Sequence, residues 1–245
     1  WWPSDTAIAT EPYDGRDKCV NLGACTSGCA QGAKATTDIT YWPHAVRAGV
    51  EVRTWCRVRE ILLDDQGMAS GVAYYDAEGD EQILQAHVVV LACNGVGTPR
   101  ILLNSKSTRF PHGLANSSGL VGKNLMFHPY ASIQGVFDEP LDGYKGPGVC
   151  IWSQEFYETD SRKDFVRGYT YQIIRDTGPA SHARGGINGP IPWGGSHHDA
   201  FASSFGKSIG MAIIGEDLPE DHNTVTLDER LVDGSELPAP KIDYT

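Results

Sequence analysis

No run in this chain approaches the roughly 18 consecutive apolar residues of a membrane-spanning helix. Basic residues are in deficit: 20 Lys and Arg stand against 31 Asp and Glu, a formal charge of −11. No Lys/Arg cluster offsets that average, so a phosphate backbone is a poor partner and nucleic-acid binding is not expected. Cysteine is too sparse for a disulfide scaffold, with six in 245 residues, and it does not fix the compartment. Cytoplasmic and periplasmic settings both stay open. The chain contains no complete Gly-x-Gly-x-x-Gly, no His-Glu-x-x-His and no Gly-x-Ser-x-Gly. The full dinucleotide fingerprint, the zinc-protease helix and the hydrolase elbow are therefore missing from these residues. There is no internal repeat or low-complexity tract.

What is present is an ordinary globular composition, 40% hydrophobic and 21% charged. The chain opens at Trp1-Trp2-Pro3-Ser4 and closes at Ile242-Asp243-Tyr244-Thr245, inside a strand-like run, which reads as an internal fragment. Residues 38–49 read as a short helix that Asp38 caps and Gly49 stops. Residues 50–61 alternate apolar and polar side chains as a strand does. Asp64-Asp65-Gln66-Gly67 and Asp76-Ala77-Glu78-Gly79 then separate two more short strands, at 71–76 and 82–86, into an antiparallel meander. The run 87–93 is apolar on both faces and reads as a buried central parallel strand. The turn Asn94-Gly95-Val96-Gly97 follows it, then a helix over 98–105 with Thr98 as N-cap and Pro99 at its first position. Further strands are expected at 131–137, 148–154, 166–175, 208–215 and 223–227, with a loop or lid over 176–206. The fold class expected is α/β with an α+β second part, and the boundary is placed near 106–118.

Three features carry candidate chemistry. The Gly-bearing turn lets backbone approach a ligand, and the helix end behind it offers N–H groups to an anion; a plain tight connection is the alternative. Cys19, Cys25 and Cys29 fall within eleven residues, with five residues and then three between them. This matches neither paired zinc-finger spacing nor either ferredoxin spacing, and leaves open a metal, an iron–sulfur cluster, or a disulfide with a spare thiol. Of eight histidines, His128, His197 and His198 are the candidates for a direct site role.

Four blocks in order resemble the glucose-methanol-choline (GMC) oxidoreductases, a family of flavoproteins. They are Cys25 to Lys34 with the strand ending at Ile61, Val89 to Ser105, Gly113 to Pro129, and Asn223 to Asp228 with Leu237 to Tyr244. The resemblance implies a partial FAD-binding, Rossmann-like domain over 1–110 and a partial antiparallel-sheet substrate domain over 111–245. It implies FAD-dependent oxidation of an alcohol or sugar CH–OH group by hydride transfer to the flavin. A non-catalytic binding domain or a lyase of the same fold is the alternative. Val58 matches a position that contacts the adenine through its backbone; Ala92, Asn94, Gly95 and Thr98 match the turn lying against FAD. Asn94 departs from the usual Gly, and Lys106-Ser107 replaces Gly-Ile-Gly. His128 matches a family histidine read as structural. The five-then-three spacing of Cys19, Cys25 and Cys29 is similar to that of family dehydrogenases carrying a 3Fe–4S cluster, though Ala30 replaces the usual Pro. Such a cluster implies an electron-acceptor protein as partner. The family's pyrophosphate turn would precede residue 1 and its catalytic histidine block would follow residue 245, so these residues alone are expected to be inactive.

Overall fold

The computed structural model describes all residues except 24, 26, 27, 176, 177 and 186–190. Thr26 and Ser27 of the first resemblance block lie outside that description. The chain divides into two compact units. Unit 1 holds Trp1–Val50 and His128–Asp217; unit 2 holds Glu51–Phe127 and Leu218–Thr245.

Unit 1 is built on a five-stranded sheet. Its strands are β1 (Trp2–Pro3), β5 (Tyr130–Val136), β6 (Val149–Ser153), β7 (Tyr169–Arg175) and β8 (Ser208–Gly215), in the order β1-β6-β7-β8-β5. Every pairing is antiparallel. Along β8, Ser208, Gly210 and Ala212 are buried in alternation, the period of two that places one sheet face inside. Three helices accompany the sheet: α1 (Tyr41–Arg47), α3 (Pro179–Ala183) and α4 (His197–Ser204). The last two correct the expectation of a structureless 176–206. At five and eight residues they are too short to print a helical period on the sequence. His182 of α3 is buried, its Nε2 2.9 Å from Ser204 Oγ and its ring edge-on to Phe201 and Phe205.

Unit 2 contains the expected meander, β2 (Arg57–Leu63), β3 (Ala69–Tyr75) and β4 (Glu81–Gln85). Its two turns work alike. Asp64 Oδ1 accepts the N–H groups of Gln66 and Met68, and Asp76 Oδ1 those of Glu78 and Asp80. Gly67 and Gly79 supply the positive φ, +86° and +88°, that closes each turn. The helix α2 (Asn94–Asn104) lies on β2: Asn104 Nδ2 donates to the Arg59 carbonyl (2.9 Å), and Ser105 Oγ accepts the Ile61 N–H (3.0 Å). A hairpin of β9 (Thr224–Val232) and β10 (Pro238–Asp243) completes the unit, with a bulge between Pro238 and Pro240.

Three expectations change. Residues 50–56 form no ladder, so only the second half of the run 50–61 is strand. Residues 87–93 form no strand, with Val88 75% and Val90 81% exposed. A parallel strand needs neighbours on both edges, and every strand pairing among the described residues is antiparallel, so the Rossmann-like arrangement is not seen. The helix begins at Asn94 rather than Thr98, with Cys93 as N-cap and Pro99 inside it.

Candidate active site

The start of α2 is set by one side chain. Asn94 takes φ +61°, a left-handed conformation that asparagine tolerates better than most residues. From there its Oδ1 accepts the N–H groups of Val96 (2.9 Å) and Gly97 (3.1 Å). The supposed Gly turn is thus the first turn of the helix, and two of the amides expected to face an anion are already satisfied. Thr98 Oγ1 accepts the Cys93 N–H at 3.3 Å, holding the entering chain against that turn. Gly95 faces open space.

A cleft of about 490 Å³ opens beside this turn. One wall is Asn94, Gly95, Thr98, Pro99 and Leu102 of α2; the other is residues 121–126, with Val225 of β9 between them. The second wall is shaped by Gly122 (φ +82°) and Asn124 (φ +56°). A Cβ at Gly122 would overlap the Val225 carbonyl oxygen, so only glycine permits this approach. Hairpin backbone braces the wall: Val225 N–H donates to the Gly122 carbonyl (2.6 Å), and Leu125 N–H to the Asn223 carbonyl (3.0 Å). The Asn124 amide nitrogen reaches Asp221 Oδ1 and the Pro219 carbonyl, each at 3.2 Å. The lining mixes apolar groups with the amides of Asn94 and Asn124, the Thr98 hydroxyl and Lys123. Apolar lining with a few polar groups is the make-up of a small-molecule site.

The opposite face of α2 lines a second cavity, of about 340 Å³, with Val58, Arg57, Arg59, Arg100 and Asn104. The structure therefore brings Asn94, Gly95 and Thr98 onto one cavity and Val58 onto another, both bordered by one helix. Ala92 is exposed on the approach to α2 and lines neither. Cys56 and Cys93 are both half-buried on the second cavity. Another cleft, about 850 Å³, lies between the meander tip and the hairpin turn, beside Trp55. Lys123, Met126 and Val225 are lining residues that the sequence analysis left without a role.

The cysteine segment lies in unit 1. Cys25 Sγ donates to the Gly146 carbonyl (3.6 Å), and Cys19 Sγ accepts the Asn21 N–H (3.4 Å). The Cys29 thiol is held below its ordinary pKa, chiefly by the Lys34 backbone N–H, with the amides of Gln31, Ala33 and Gly32 adding to it against burial. Cys19, Cys25 and Cys29 are free thiols with separate partners. No set of three or more His, Cys, Asp or Glu among the described residues is placed to hold a metal. The arrangement does not fit the 3Fe–4S cluster that the resemblance implied. Of the histidines, His128 donates from Nδ1 to the Gly215 carbonyl (3.0 Å), which supports its structural reading. His197 donates from Nδ1 to the Pro192 carbonyl and stacks on Trp193; His198 sits edge-on to it. None of the three lines the cleft beside Asn94.

Residues 9–130 match the model of the GMC oxidoreductases. The chain belongs to that family. It is 41% identical, over its whole length, to 2-methyl-1,2-propanediol dehydrogenase of Mycolicibacterium austroafricanum, covering 45% of that protein. It is 27% identical over 99% of its length to the fructose dehydrogenase large subunit of Gluconobacter japonicus, covering 44% of it. It is 30% identical to 6'''-hydroxyparomomycin C oxidase of Streptomyces lividus, covering 42%. The chain thus spans under half the length of these GMC relatives. They are oxidoreductases of alcohols and sugars, and the family is FAD-dependent. No helix among the described residues is long and apolar enough to cross a membrane.

Proposed function

We propose that residues 1–245 belong to an FAD-dependent dehydrogenase acting on the CH–OH group of a small alcohol, and that they supply one side of its flavin site. The observation that carries this reading is the cleft between the α2 N-terminus and residues 121–126, which gathers Asn94, Gly95 and Thr98 with an apolar floor. When bound, FAD supplies the two-electron acceptor for a hydride leaving the alcohol carbon. Asn94, Thr98 and Lys123 would hold its polar edge, and Leu102, Val121, Leu125 and Met126 would exclude water from the ring. Val58 would meet the adenine end through its backbone, on the far face of the same helix. We assign no catalytic base within these residues, and no electron step through the cysteines.

The 41% identity to the diol dehydrogenase, against 27% to the fructose subunit, favours a small alcohol over a sugar. The test is turnover by the full-length protein with an artificial electron acceptor. Small branched diols are expected to give a kcat/KM at least about tenfold above that of free hexoses, the scale one well-placed contact provides. Hexoses turning over better would contradict the substrate class.

A further inference from the structure

We infer that Arg100 is a positioning residue for the flavin cleft, acting through the β9–β10 hairpin; the inference rests on the flavin reading above. Arg100 lies on the face of α2 away from the cleft. Its guanidinium is committed to three acceptors on one element: Nε donates to the Pro238 carbonyl (2.8 Å), and Nη2 to the Leu237 carbonyl (3.1 Å) and Asp233 Oδ2 (2.8 Å). Asp233 is itself fixed, because its Oδ1 accepts the Ser235 (2.8 Å) and Leu237 (3.2 Å) N–H groups that shape the hairpin turn. Both side chains are mostly buried, at 16% and 23% exposure, so the pair is poorly screened.

The other end of the same hairpin carries the opposite wall. Val225 and Asn223 hold the backbone of Gly122 and Leu125, and Val225 is 1% exposed. One wall of the cleft is therefore tied to the hairpin by a side-chain fork and the other by backbone hydrogen bonds. The hairpin is thus tied to both walls, and Arg100 is its side-chain link on the α2 side. Lysine cannot replace it, because a single ammonium does not span two carbonyls and a carboxylate in that planar arrangement.

The test uses the full-length holoenzyme with Arg100→Lys and Asp233→Asn, which keep side-chain volume, alongside Arg100→Ala. The readouts are the FAD dissociation constant from titration of apoprotein, the visible circular dichroism of bound flavin, and kcat and KM separately. A displaced α2 wall is expected to weaken FAD binding about tenfold, a change equivalent to about 1.4 kcal/mol. It is also expected to alter the flavin dichroism and to lower kcat more than it raises KM. If Arg100→Ala fails to fold, the two conservative variants still decide. A lowered Tm with unchanged FAD affinity and unchanged dichroism would overturn the inference and leave the flavin reading standing. A wild-type protein that binds no flavin would sink the flavin reading, and the inference with it.

Discussion

At Asn94, backbone and side chain depend on each other. The left-handed φ aims Oδ1 at the amides of Val96 and Gly97, and those bonds hold the φ in place. Asn94→Ala removes the acceptor and places a residue that tolerates left-handed backbone poorly, and is expected to cost about 1–2 kcal/mol in urea unfolding. Asn94→Gly loses the acceptor but keeps the conformation, and is expected to cost well under about 1 kcal/mol. Equal losses would mean that the side-chain bonds, not the backbone, decide. Asp233 gives a pH test. Burial raises its carboxyl pKa, but the Arg100 fork and the Ser235 and Leu237 amides outweigh burial and hold it below the usual carboxylate range. A depressed folded-state pKa contributes stability that is complete above the unfolded value of about 3.9 and is lost as pH falls through the folded value. Asp233→Asn is therefore expected to be about 1–3 kcal/mol less stable than the parent near neutral pH. That gap should close as the pH is lowered through the acid range. A gap that stays constant on acidification would contradict the assignment.

At the scale of elements, the meander was legible because its turns carry their own chemistry: an aspartate that caps amides and a glycine that turns the chain. Four of the five strands of unit 1 were legible as strand-like runs between loops; the two-residue β1 was not. The end of β10 was legible as a strand-like run, but its start was obscured by Pro238 and Pro240, which suit a bulged edge and break a strand pattern. The helix α2 was read four residues short because Gly95 and Gly97 look like a turn until Asn94's hydrogen bonds are seen. The cleft was half legible. Asn94, Gly95 and Thr98 fall within five residues of one another, but Lys123, Met126 and Val225 join them only through tertiary contacts that no local pattern records. Residues 87–93 are the instructive failure. Two-sided hydrophobicity fits a central parallel strand, yet the run stands exposed where every described strand pairing is antiparallel. In the 245-residue chain its amides are expected to exchange hydrogen at nearly the unstructured rate, while those of β3 are protected. Equal protection in the two segments would restore the strand.

For the whole molecule, acidity and family agree. A net charge of −11 suits a small neutral substrate better than a polyanion. The cleft in unit 2 combines apolar side chains with a few polar groups, the mixture that small-molecule sites use. Cys19, Cys25 and Cys29 are placed as separate thiols, and no electron step is routed through them. The α2 cleft is proposed as one side of a flavin site serving alcohol oxidation. The most direct measurement is the visible absorption of the full-length protein, recorded without oxygen before and after a small diol is added. A yellow protein with stoichiometric flavin, whose colour bleaches on addition, is expected. A colourless protein that takes up no FAD, or a flavin that no alcohol or sugar reduces, would contradict it.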